Sequence, residues 1–149
     1  MKKQNIIWAL IGSVMFLLMN TGFAHGSQIN MKAIRQIESS DCVFKVGRYE
    51  DARGCYQLTK WVIRDWNHYH PYELYTMETA AEDAANEKIA SWYLNKRIPA
   101  MIRAYGKPVT TDNILIAYNA GIKYVVNGEE IPKITKQYLI KYRKFTGGS

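Results

Sequence analysis

"AIRQIESSDC", residues 33–42, places a glutamate where a short amphipathic helix would bury an apolar side chain. Counted from Met31 at about 100° per residue, Ala33, Ile37 and Ile34 fall at about 200°, 240° and 300°, and Glu38 at about 340°, inside the same apolar arc. Lys32, Arg35 and Gln36 take the other side. An apolar surround and the carbonyl end of a helix both disfavour a carboxylate anion, so both favour the protonated form. A raised pKa is what a general acid needs. A glutamate on a helix edge can equally turn its head to water, and the rest of the chain has to decide between these readings.

Working outward, residues 30–40 read as one helix, and Gly47, Asp51 and Gly54 then mark a loop with room for a short strand at "CVFKV", residues 42–46. "QLTKWVIRDWN", residues 57–67, resumes a helical period through Leu58, Val62 and Trp66. "HYHPYELY" is a connection, because Pro71 stops a helix. A long helix is expected from about Thr76 to Arg97, with alanines that permit close approach and Pro99 breaking or kinking it. Residues 110–121, "TTDNILIAYNAG", offer Thr111 or Asp112 as N-cap and Gly121 as a left-handed cap. A last helix from about Pro132 would carry Ile134, Tyr138, Tyr142 and Phe145 on one side. The expectation is one mostly α domain with a loop or short strands after the first helix.

The chain opens with Met1, Lys2 and Lys3, an apolar run over Ile6–Met19, and "TGFA" ending in small residues, the pattern of a signal peptide cleaved after Ala24. The run is short of the about 20 apolar residues a membrane span needs. Residues 25–145 would then be the domain and 146–149 a disordered tail, with a periplasmic or secreted location and no stable membrane anchor after cleavage. Without Lys2 and Lys3, 18 basic residues face 13 acidic ones, a net +5 against +7 for the whole chain. Such a surface favours anionic polymers, among them cell-wall glycan. No nucleic-acid motif is present, and a nucleic-acid partner is not expected. Cys42 and Cys55, an isolated pair in an exported chain, most simply form one disulfide, with two free thiols as the alternative. His68 and His70 have no third ligand in view, so neither metal nor cofactor is expected.

Three pieces stand in order: "IESS" at 37–40, "GCYQL" at 54–58 and "AYNAG" at 117–121. Together they resemble the catalytic domain of soluble lytic transglycosylases, the lysozyme-like family that cuts bacterial peptidoglycan, and "AYNAG" is the most specific of them. "NEKIASWYLNKRIPAMIRAYG" and "IPKITKQYLIKY" agree in the same order, so the similarity spans about residues 30–143. The resemblance implies a lysozyme-like, goose-type helical fold. It implies Glu38 as catalytic acid and base, followed by Ser39 of the Glu-Ser pair. Gly54 and Gln57 fall on the family's Gly-x-x-Gln, with Tyr56 at a position usually bulky, and Tyr118 and Asn119 on its Tyr-Asn; Ser39, Tyr56, Gln57, Tyr118 and Asn119 would line the substrate. Where the family commonly carries Glu-Thr before its last tyrosine, this chain has Ile134-Thr135. Small enzymes of this kind serve secretion, pilus or conjugation machines, which are the partners implied besides the glycan.

Each residue also has a plainer use: Gln57 as a helix cap, Tyr118 in the core, Asn119 on a backbone group. In the family it resembles, the chemistry asks for only one carboxyl, since the acetamido group of N-acetylmuramic acid supplies the nucleophile that other glycosidases carry themselves. Asp41, Glu50 and Asp51 are candidates for a second, and Asp41 or Asp51 would position water in a hydrolase of the muramidase type. A non-catalytic glycan-binding or assembly module is the third alternative. The eleven tyrosines suit sugar contact, and "WNHYHPYELY" can either line a groove or cover the core as a surface loop.

Overall fold

The computed structural model describes residues 28–46 and 51–147. The expected signal peptide, Gly47, Glu50 and the last two residues lie outside the described residues. The chain is mostly helical. Helix α1 covers Met31–Ser39, a two-stranded antiparallel hairpin pairs β1, Ala52–Arg53, with β2, Leu58–Thr59, and α2 covers Lys60–Tyr69. A short 3-10 turn over Thr79–Ala81 leads into α3, Asp83–Trp92, then a π turn over Tyr93–Arg97 and α4, Ile98–Ala104. Helices α5, Thr111–Asn119, α6, Ile122–Asn127, and α7, Lys133–Thr146, complete the order.

Helix α1 starts as its sequence dictates. Asn30 caps it, its side chain accepting from the Ala33 N–H at 3.1 Å. Its apolar arc buries Ala33 and Ile34 against α7, whose own buried stripe is Thr135, Tyr138, Leu139 and Tyr142. The Tyr142 hydroxyl accepts the Asn30 N–H at 2.8 Å, so α7 also holds the start of α1. Around this pair, Leu58, Ile89, Leu94, Ile98, Ile102 and Leu115 are fully buried, and α5 packs between α4 and α7.

Several expectations need correction. "CVFKV" forms no strand; Val46 makes one isolated bridge to Arg53, and the paired strands lie further on. The long helix begins at Asp83 and does not stop at Pro99, which is buried at the start of α4. The proline follows a π turn in which the Ile98 N–H reaches back to the Tyr93 carbonyl, so the missing N–H falls where the ladder is already being reset. The cap of α5 is Thr110, one residue earlier than expected, accepting from the Asn113 N–H. Gly121 has φ +103 and ψ 152, not a left-handed cap, and opens the short helix α6 that periodicity did not reveal. On α7, Ile134 and Phe145 face solvent, because the stripe that packs is turned toward α1 and α5. Thr146 ends that helix instead of belonging to a tail, and Gly147 is its left-handed cap.

Candidate active site

The end of α1 carries Glu38 to the wall of a cleft of about 410 Å3, which also draws on Asp51, Gln57, Trp61, Tyr93, Tyr118 and Asn119. The backbone that follows is unusual. Ser40, Asp41 and Cys42 have φ of 50°, 60° and 70°, three successive non-glycine residues in the left-handed region. Each costs roughly 1–2 kcal/mol, so something must hold the turn. Two links do so: the Cys42–Cys55 disulfide, and the Ser39 hydroxyl, which is buried, accepts the Cys42 N–H at 2.9 Å and donates to the Cys55 carbonyl at 2.7 Å. The disulfide expected from the cysteine pair is therefore present, and it ties the end of α1 to the hairpin.

The hairpin is fixed from the other side by Asn86 of α3, fully buried, whose Oδ1 accepts the Tyr56 N–H at 2.8 Å. Its amide donates to the carbonyls of Arg53 at 3.1 Å and Ala80 at 2.8 Å. Gly54, at φ +75, lies so close that a Cβ there would overlap the Asn86 amide. Only glycine fits. Gln57, itself at φ 49, donates its amide to the Gly54 carbonyl at 2.8 Å and faces the cleft.

Glu38 is half-buried and lines the cleft. Burial pushes its carboxyl up from the ordinary 4.5 to about 7, against the opposing pull of the Tyr138 hydroxyl, which donates to Oε1 at 2.8 Å. A neutral carboxyl accepting on Oε1 carries its proton on Oε2, the form a general acid needs. Tyr118 donates its hydroxyl to the Tyr56 carbonyl at 2.6 Å, locking its ring beside Tyr93 at 6.3 Å between centroids. Burial first, and then the Glu38 charge, hold the phenols of both Tyr118 and Tyr138 well above their usual range, so both remain donors. Asn119 is exposed in the cleft, its Oδ1 accepting from the buried Thr135 hydroxyl at 2.7 Å, which leaves its amide N–H groups directed by that bond.

Of the residues singled out from sequence, Glu38, Gln57, Tyr118 and Asn119 meet at the cleft. Ser39 and Tyr56 do not: both are buried, and they build the wall, Ser39 by its hydroxyl and Tyr56 by its backbone. Asp51 lines the cleft, whereas Asp41 pairs with Arg35 at 2.8 Å and is not part of the lining. Sequence reasoning missed Tyr138 as the partner of Glu38, 100 residues away; its place on the packed stripe of α7 was the one available signal. It also missed Asn86 and Trp61. The "WNHYHPYELY" segment covers the core in part: Trp66 is buried with His70 stacked on it at 3.8 Å, Tyr69 and Tyr72 face solvent outside the cleft, and His68 lines a hollow beside it. Among the described residues no three His, Cys, Asp or Glu come together to hold a metal ion, and no helix is long and apolar enough to cross a membrane.

No protein-family model matches the chain, and no curated protein or solved structure matches it significantly.

Proposed function

We propose that the protein is an exported peptidoglycan lytic transglycosylase of lysozyme-like fold, with Glu38 as acid and then base. The observation that carries this reading is the Glu38 carboxyl, poised at about 7 in an open cleft and held by Tyr138. A group near neutral pKa can give a proton and take one back. Protonated Glu38 donates to the glycosidic oxygen as the bond to C1 of N-acetylmuramic acid breaks, and the sugar's own acetamido oxygen closes on C1. The glutamate, now ionised, removes the proton of the 6-hydroxyl, whose oxygen displaces the acetamido group and forms the 1,6-anhydro ring. No water is consumed. Gln57, whose amide N–H groups are held by the Gly54 and Phe44 carbonyls, offers its side-chain carbonyl to the glycan, Asn119 offers its amide N–H groups, and Tyr93 and Tyr118 supply ring faces. The disulfide fits an oxidising compartment and so favours the periplasmic or secreted location; a secretion, pilus or conjugation machine is the proposed setting.

Asp51, on the same cleft wall, favours a second reading, a hydrolase in which that carboxylate positions water. Digestion of purified sacculi by wild type and Glu38→Gln, with mass analysis of the products, tests both. Anhydro ends released by wild type alone support the transglycosylase. Products heavier by one water, about 18 mass units, support the hydrolase. Equal action of wild type and Glu38→Gln removes the catalytic reading altogether.

A further inference from the structure

Trp61 and Tyr93 line the catalytic cleft and also a second hollow of about 370 Å3, completed by Arg64, Asp65 and His68. Its size is that of a small-ligand pocket. Its charge is not balanced. Asp65 is already engaged by Arg97, which donates Nε at 2.6 Å and Nη2 at 3.3 Å. That guanidinium is further held 4.6 Å from the ring of Tyr69. Arg64 makes no ion pair among the described residues; its guanidinium lies 6.0 Å from the ring of Trp61, and the Lys60 ammonium lies 5.2 Å from the same ring. The hollow thus offers an exposed indole, 63% accessible, with two unneutralised cations beside it and an imidazole at its edge. A planar guanidinium beside an aromatic face is a carboxylate site, forked hydrogen bonds to the anion and stacking for the group that bears it.

We propose that this hollow is a subsite for a carboxylate-bearing peptide substituent on the glycan strand held in the cleft, with Arg64 binding the carboxylate and Trp61 covering the adjoining chain. The assignment rests on the glycan reading of the cleft, because Trp61 and Tyr93 are the wall common to the two hollows. It makes the enzyme selective for strands that still carry charged peptides.

The test uses the Glu38→Gln protein and two soluble probes: glycan strands with intact peptides, and the same strands with their carboxyl groups coupled to methylamine. Calorimetric titration is expected to show that neutralising the peptides weakens binding about tenfold. Arg64→Gln is expected to lose the same factor toward intact strands and nothing further toward neutralised ones, whereas Lys144→Gln, at the end of α7 that meets the start of α1, loses none. Equal affinity of Glu38→Gln for the two probes, or an Arg64→Gln loss that is the same for both, overturns the subsite while leaving the glycan reading intact. Failure of both probes to bind any variant overturns the glycan reading and the subsite with it.

Discussion

Glu38 titrates at about 7 in the fold against an ordinary 4.5, so folding takes up a proton between those values. Stability therefore declines as pH rises from about 4.5 to about 7 and stays lower above it. Glu38→Gln keeps the shape and removes the charge, so it is expected to raise the thermal midpoint at pH 8, by the equivalent of ~3 kcal/mol, and to have no such effect at pH 4. Unfolding scans at the two pH values check this; an equal shift at both would place the carboxyl in free solvent. Cleavage should follow the protonated form, falling as pH rises through about 7. The Tyr138 hydroxyl favours the ionised form, so Tyr138→Phe is expected to move that alkaline limb upward by about one pH unit, measured as kcat/KM against pH. Periodicity placed Glu38 on an apolar arc but could not name Tyr138, because a hydrogen bond between residues 100 apart depends on how α1 and α7 cross.

Between α1 and the hairpin the strained left-handed turn is stable only while its two clamps hold. Reduction is expected to lower the thermal midpoint of wild type by the equivalent of roughly 3 kcal/mol and to leave Cys42→Ser unchanged, since that variant has no bond to lose. Scans with and without reductant decide it; no change in either protein would deny the crosslink a role. Asn86→Ala takes the partner from the Tyr56 N–H and from two carbonyls, a loss of roughly 2–4 kcal/mol in denaturant unfolding. Gly54→Ala is expected to displace the hairpin through the overlap with Asn86, and Gln57 with it, so cleavage should fall even where the fold survives. Gly54 was readable as a loop residue, and Gln57 was singled out only by the resemblance to Gly-x-x-Gln. Asn86 was not: an asparagine among the alanines of a helix gives no sign of the backbone that will come to lie against it.

Across the molecule, α7 does three tasks through one buried stripe: Tyr142 meets the start of α1, Tyr138 meets its end, and Thr135 steers Asn119. Ending the chain at Pro132 removes all three and exposes the faces of α1 and α5. The expected outcome is loss of cooperative thermal unfolding by circular dichroism, and a sharp transition in the shortened chain would contradict it. Most of the helices, the loop at Gly54, the cysteine pair and the place of Glu38 on an apolar arc were legible along the chain, because periodicity, caps and turn residues are local and each acts within a few positions. Gln57, Tyr118 and Asn119 were singled out by resemblance alone, and α6 was not foreseen. Their boundaries shifted where packing overrode propensity, as at Pro99, which a π turn accommodates inside a continuous helical run, and at Ile134 and Phe145, which an amphipathic projection turns inward but the crossing of α7 leaves outside. Local pattern thus accounts for the helical class and for a carboxyl facing apolar neighbours. The pairing of Glu38 with Tyr138, the burial of Ser39 and Tyr56 in the wall, and the hollow shared through Trp61 and Tyr93 come from contacts between segments distant in the chain, whose geometry exists only once the helices have packed.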